Sequence, residues 1–155
     1  MSIIKVADLG ISSGVNTPAF SIAKDSNQAT SAGANNIITW QVTNFDTHSG
    51  VDLTNNKYVV PTGQGGKYFL SLQVSFNYSA RYILGIWKNG SPIRELDTTG
   101  TGSFSGFSFN AVLDLSAGDE INNYYYSVSS TGNIREENST GTQITRFEGF
   151  RLIGA

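Results

Sequence analysis

The sequence predicts an all-β chain, a two-sheet antiparallel jelly-roll sandwich, and three observations carry that prediction. Period-two alternation of apolar and polar residues recurs along most of the chain. Helical periodicity is nearly absent, since no window of a dozen residues keeps an apolar stripe at three-and-four spacing. Turn residues break the apolar segments at short intervals, leaving eight to ten strands and no crossover helices.

Taken in order, the first residues stand apart. Ile3-Ile4-Lys5-Val6 is followed by Gly10-Ile11-Ser12-Ser13-Gly14, which reads as an attachment arm over residues 1–16 ahead of a head domain over 17–155. Ile38, Trp40 and Val42 alternate with Ile37, Thr39, Gln41 and Thr43, as in a half-buried strand. The clearest strand begins at Tyr68, with Leu70, Leu72, Val74 and Phe76 on its apolar face and Phe69, Ser71, Gln73 and Ser75 opposite. Lys88-Asn89-Gly90-Ser91 joins two further strands, because Asn-Gly supplies the positive φ angles of a tight primed hairpin turn. Asp97 to Gly102 reads as a glycine-rich loop. From Ser105 to Leu115, Phe107, Phe109, Ala111, Leu113 and Leu115 share one face. The last candidates are Ile121 to Ser129 and Gln143 to Ile153, with Ser130 to Thr142 between them as an exposed loop.

Composition narrows the class. At 155 residues the chain is one domain by length, large enough to bury a full core. There is no cysteine, so disulfides and thiolate metal sites are excluded. A net charge of −2 with scattered Lys and Arg gives no phosphate-tracking surface, and nucleic acid is not an expected partner. Charged residues make up 14% of the chain against about 25% in typical soluble domains. A surface so poor in charge suits a turn-rich β protein, and also one partly covered by copies of itself. Residues 1–10 show no basic region followed by an apolar run, so no signal peptide is expected, and no segment approaches a membrane span.

No catalytic or cofactor motif emerges, and a non-enzymatic protein is expected. His48, the single histidine, sits in Phe45-Asp46-Thr47-His48-Ser49-Gly50, where nearness in sequence to Asp and Ser is no triad; it reads as a surface turn. Asp46, Asp52, Glu95, Asp97, Asp114, Asp119 and Glu120 show no alternating calcium-loop spacing and read as solvated or capping carboxylates, Asp119 as a turn residue bonding nearby amides. Gly63-Gln64-Gly65-Gly66-Lys67-Tyr68 lacks the Ser or Thr and the helix of a phosphate loop and reads as a corner. Tyr124 to Tyr126 and Tyr78 to Tyr82 either stack on sugar faces or fill a sandwich core.

An ordered set of elements resembles a known family. Pro18-Ala19-Phe20-Ser21-Ile22, Trp40 to Phe45, Gly50 through Tyr58 and Pro61, Gly66-x-Tyr68, Trp87-Lys88-Asn89-Gly90, Leu113-x-Leu115-x-x-Gly118-Asp119 and Phe147-x-Gly149-Phe150-x-Leu152 occur in the order seen in the globular head of complement component one subunit q and its tumour-necrosis-factor-like relatives. The resemblance covers about residues 18–153 and departs at Leu70, at Leu72 and in a longer Thr62 to Gly66 corner. It implies a trimer, and calcium near the apex in some members; no cofactor is expected here. The residues offer their own reason for self-association. Phe69 lies on the polar face of its strand, and Phe147 falls opposite Phe150 and Leu152. If both strands belong to the inner sheet, Phe69, Gln73, Phe147 and Gly149 form a trimer interface; otherwise each ring lies under a loop of its own chain.

The opening Met1-Ser2-Ile3-Ile4-Lys5-Val6 is similar to the starts of short virion structural proteins of tailed bacteriophages. That similarity implies a virion component, on a tail fibre or the capsid surface, whose arm docks to other virion proteins and whose loops face a host glycan or protein. The ligand loop would carry Ser130, Thr131, Asn133 and Arg135. The alternative is a bacterial extracellular or cell-surface module that binds glycans or adheres through the same loop.

Overall fold

The computed structural model describes residues 16–102, 104–129, 132–136 and 140–153. The arm up to residue 15 therefore lies outside the described residues. Among the described residues thirteen strands form two antiparallel sheets, in the order β1 (Ala19–Ala23), β2 (Gln28–Ala29), β3 (Asn36–Ile37), β4 (Val42–Asp46), β5 (Val51–Asp52), β6 (Lys57–Val59), β7 (Gly66–Phe76), β8 (Arg81–Lys88), β9 (Ser91–Thr99), β10 (Ser105–Leu115), β11 (Glu120–Ser127), β12 (Asn133–Ile134) and β13 (Arg146–Arg151). One sheet has seven strands. Its centre is β7, flanked by β10 on one side and by β13 and then β12 on the other, with β1 and β4 beyond β13 and β2 beyond β12. The second runs β5, β6, β11, β8, β9, with β3 also on β11. This is the two-sheet sandwich that the alternation predicts.

The apolar rows expected from sequence meet in one core. Tyr68, Leu70, Leu72, Val74 and Phe76 of β7 are all fully buried, and Ala111, Leu113 and Leu115 continue the layer from β10. Against them the second sheet sets Leu84 and Ile86 of β8 with Ile121 and Tyr125 of β11. Stacked rings tie the layers together. Phe20 lies on Tyr58 and Phe76 on Tyr82, each pair with centroids 3.9 Å apart.

Three local outcomes show how sequence became structure. Asn89 and Gly90 have φ of 50° and 78°, and Lys88 faces Ser91, so the Asn-Gly pair closes a two-residue primed hairpin as predicted. Asp119 also behaves as predicted, its Oδ2 accepting the Ser116 amide at 2.7 Å across the corner that Gly118 turns with φ 86°. The strand expected over Ile37 to Thr43 is instead broken: β3 belongs to the six-stranded sheet, β4 to the seven-stranded one, and residues 38–41 cross between them. Ile38 and Trp40 still alternate into the core, which is why the pattern reads as continuous. The Asn56 side chain takes the place of a partner strand by accepting the Trp40 amide at 2.8 Å.

Candidate functional site

The outward face of the seven-stranded sheet is the most distinctive surface of the protein. Strand register places Ala19, Phe150, Phe69 and Val112 side by side, and in the next row Phe45, Ser21, Glu148, Ser71 and Asn110. The Phe69 and Phe150 rings lie 5.4 Å apart, while Phe45 and Val112 are 51% and 52% exposed. Phe45, Phe69, Phe150 and Ala19 surround a hollow of about 300 Å³, with Ser71 and Glu148 as its polar wall. Phe20 and Gly149 reach its floor from the core side. Glu148 is held in place within this apolar setting: Ser21 Oγ donates to its Oε1 at 2.9 Å, and Arg146 Nε stands 3.4 Å from its Oε2.

Of the four residues expected at a trimer interface, the structure turns two outward and two inward. Phe69 and Gln73 face outward on β7, Gln73 opposite Arg146 of β13 and Ser108 of β10. Phe147 does not. It is fully buried against Phe20 and Trp40, with centroids 5.2 and 6.4 Å away. Gly149 also faces the core, where an added Cβ would stand 2.6 Å from Leu70 Cδ2 and 2.8 Å from Phe20 Cε1. The inversion has a simple cause. Leu152 suggests that its own face of the strand is the core face, but β13 ends at Arg151, so Leu152 does not set the phase. Phe147, Gly149 and Arg151 share one side of β13, and Arg146, Glu148 and Phe150 the other. Phe150 is therefore the outward ring that the sequence reading missed. Glu148 was the available signal, because a carboxylate two residues from Phe150 places both on the outer side.

Of the expected ligand loop, Ser130 and Thr131 lie outside the described residues. Asn133 is not in a free loop but in β12, where its amide donates to Asn77 Oδ1 at 2.7 Å and the neighbouring Ile134 is fully buried. Arg135 places its guanidinium 4.5 Å above the Phe104 ring, which is 70% exposed. Elsewhere His48 Nδ1 lies 2.9 Å from Thr47 Oγ1, while Asp46 accepts the backbone amides of His48 and Val51 rather than the imidazole. That arrangement builds a turn, with Ser49 at φ 55°. Among the described residues no group of three or more His, Cys, Asp or Glu could hold a metal ion. Asp97, Asp119 and Glu120 instead pair separately with Arg81, Lys88 and Lys57. The hydrogen bond from Arg81 holds the Asp97 carboxyl below its ordinary value.

No family model matches the sequence, and no curated protein matches it. A match appears at the level of structure. The chain is similar to the globular domain of zebrafish complement 1qA protein, with a TM-score of 0.60 and 19% identity over 88% of this chain and 98% of that one. The two share a jelly-roll fold. The fold expected from the ordered motifs is thus established, whereas a phage origin draws no support from this likeness. No helix among the described residues is long and apolar enough to cross a membrane.

Proposed function

We propose that this chain is a non-enzymatic head that assembles as a homotrimer through the outward face of its seven-stranded sheet. One observation carries the reading: Phe69 and Phe150 form a ring pair on a sheet face over which none of the described strands lies, with half-exposed Phe45 and Val112 beside it. Burying a phenylalanine contributes roughly 1.5–3 kcal/mol, so several apolar side chains per subunit favour association. A three-fold arrangement closes such a face on itself without leaving an open edge of contact. The likeness to the complement 1qA globular domain supports the jelly-roll fold, the fold for which the resemblance read in the sequence implies a trimer.

Within that assembly the protein serves as a structural or attachment part of a tailed-phage particle, an assignment supported by the Met1 to Val6 opening alone. Residues 1–16 dock to other virion proteins, and the loops of the head face the host. Sedimentation equilibrium at micromolar concentration is the direct test of the assembly. The native chain is expected to sediment as a trimer, and Phe69→Asp or Phe150→Asp as a folded monomer with an unchanged near-ultraviolet dichroism spectrum. A monomeric native chain sinks the self-association reading. Deleting residues 1–16 is expected to leave the head trimeric and remove it from particles, and neighbouring genes for portal, capsid or tail proteins would fix the particle assignment.

A further inference from the structure

The outward face of the six-stranded sheet is built differently. Along β11 the odd positions Ile121, Asn123 and Tyr125 enter the core, so Asn122, Tyr124 and Tyr126 face out. On β8 the outward residues are Ile83, Gly85 and Trp87. Gly85 stands opposite Tyr124, and a Cβ there would lie 2.7 Å from Trp87 Nε1, so the indole lies down over the glycine. Trp87 and Tyr124 stack with centroids 4.2 Å apart and planes inclined by 26°. Gly85 thus converts two neighbouring strands into a flat aromatic platform.

We propose that this platform binds carbohydrate, with a sugar ring laid on the Trp87–Tyr124 pair. Its polar rim has the right chemistry. Glu95, opposite Gly85 on β9, is exposed, and its carboxylate makes no hydrogen bond or ion pair among the described residues. The Trp87 indole N–H and the Tyr124 hydroxyl are likewise without hydrogen-bond partners among the described residues. Asn122 donates its amide to Asn56 O at 3.0 Å, which orients its Oδ1 as a fixed acceptor. A sugar presents apolar C–H groups to the rings and pairs of hydroxyls to such a rim. The unpaired Glu95 and the net charge of −2 weigh against a nucleotide, whose phosphates the face would repel. This site lies on the opposite layer from the self-association face and does not depend on it. If the head is a trimer, its three platforms point away from one another and bind a repeating polysaccharide multivalently.

The test uses the full chain on a printed array of bacterial polysaccharides and animal glycans. Retention on at least one glycan, with a change in tryptophan emission on titrating that glycan in solution, is the expected result. Trp87 is the reporter, because Trp40 is only 3% exposed. Trp87→Ala is expected to abolish retention, but it also uncovers Gly85. Glu95→Gln, on an exposed side chain, is therefore the cleaner variant and is expected to weaken binding about tenfold or more, as loss of a charged hydrogen bond does. Silence across the array overturns the inference. So does retention that both variants leave intact, which would move the site elsewhere, or retention on a proline-rich peptide array in place of glycans. Each of these readings is independent of the sedimentation result.

Discussion

The two outward faces of the sandwich are made from the same alternation yet solve opposite problems. On the seven-stranded sheet the outward rings of Phe69 and Phe150 meet each other and border a hollow, and the charged Glu148 is hydrogen-bonded by Ser21 and paired with Arg146. On the six-stranded sheet the outward rings of Trp87 and Tyr124 lie flat, and the same sheet carries the ion pairs of Arg81 with Asp97 and Lys57 with Glu120. A hollow face with apolar walls is completed by something that fills it. A flat face with a polar rim keeps its water until a ligand of matching polarity replaces it. Under the two proposals, the placement of rings relative to the strand, rather than their number, is what distinguishes the face assigned to assembly from the face assigned to recognition.

The strongest way to break this comparison is within β13, where two phenylalanines three residues apart face opposite directions. Phe147→Ala removes a fully buried ring from the Phe20 and Trp40 cluster and is expected to lower unfolding stability by about 3–5 kcal/mol. Phe150→Ala is expected to leave the monomer's denaturant midpoint nearly unchanged while weakening association. Equal losses of stability from both would show that Phe150 also belongs to the core. Gly149→Ala comes next. Its Cβ would stand 3.0 Å from the Phe69 carbonyl oxygen as well as against Leu70 and Phe20, and the overpacking should cost about 2–3 kcal/mol in chemical denaturation. A neutral result would mean that β13 shifts freely, and with it the Phe69 and Phe150 pair.

Which parts of this were legible in the sequence follows from what fixes strand phase. β7 and β10 carry long apolar rows, five large residues on β7 and four with Ala111 on β10, so their phase is plain and Phe69 falls on the outer side of β7. β13 is only six residues long and its core row holds a single large apolar side chain, Phe147, with Gly149 beside it and Arg151 at the end. A glycine contributes nothing to an apolar pattern, and Leu152 beyond the strand end supplied the wrong cue. The crossing at residues 38–41 was hidden for the opposite reason, because Ile38 and Trp40 keep a strand-like rhythm while the chain changes sheets. The Trp87 and Tyr124 platform depends on which strands become neighbours, β8 with β11, and no local pattern encodes that pairing. The packed β12 was masked by its polar, glycine-containing surroundings.

Lys24, just past β1, gives a smaller effect that sharpens the account of the sandwich edge. It is fully buried, and its Nζ donates to Thr39 O at 2.9 Å and Thr39 Oγ1 at 3.1 Å, with no carboxylate among the described residues in contact. Loss of hydration lowers its pKa to about 8, against weak opposition from Asp25 and Glu136. Above that pH the folded protein has released a proton that the unfolded chain still holds. Stability is therefore expected to rise from about pH 8 toward the onset of tyrosine ionisation near 10, by about 2 kcal/mol across the window. Buried Tyr58 and Tyr82, whose pKa values burial raises, reverse the trend above it. Denaturant titrations at closely spaced pH should show the rise in the native chain and its absence in Lys24→Met. A flat native profile would mean that the ammonium is not desolvated.

The smallest expected effect lies at the corner between β10 and β11, where Asp119 joins three partners. Besides the Ser116 amide, its carboxylate accepts Asn89 Nδ2 at 2.8 Å and stands 2.8 Å from Lys88 Nζ, tying the primed hairpin turn to the corner. Burial alone would raise its pKa, but the bonds from Lys88, Ser116 and Asn89 outweigh that and hold it below the ordinary carboxylate value. The sign of the pH effect follows. A depressed carboxylate contributes stability that is fully present above the unfolded pKa of about 3.9 and disappears as pH falls through the lower folded value. Asp119→Asn keeps the shape, loses the charge and is expected to cost about 1 kcal/mol at neutral pH, with a shallower decline in acid than the native chain shows. Both the Trp87 platform and the turn beside it hang from this corner, since Lys88 and Asn89 directly follow Trp87. If Asp119→Asn weakens glycan retention without moving the thermal midpoint, the corner positions the platform rather than merely stabilising the fold.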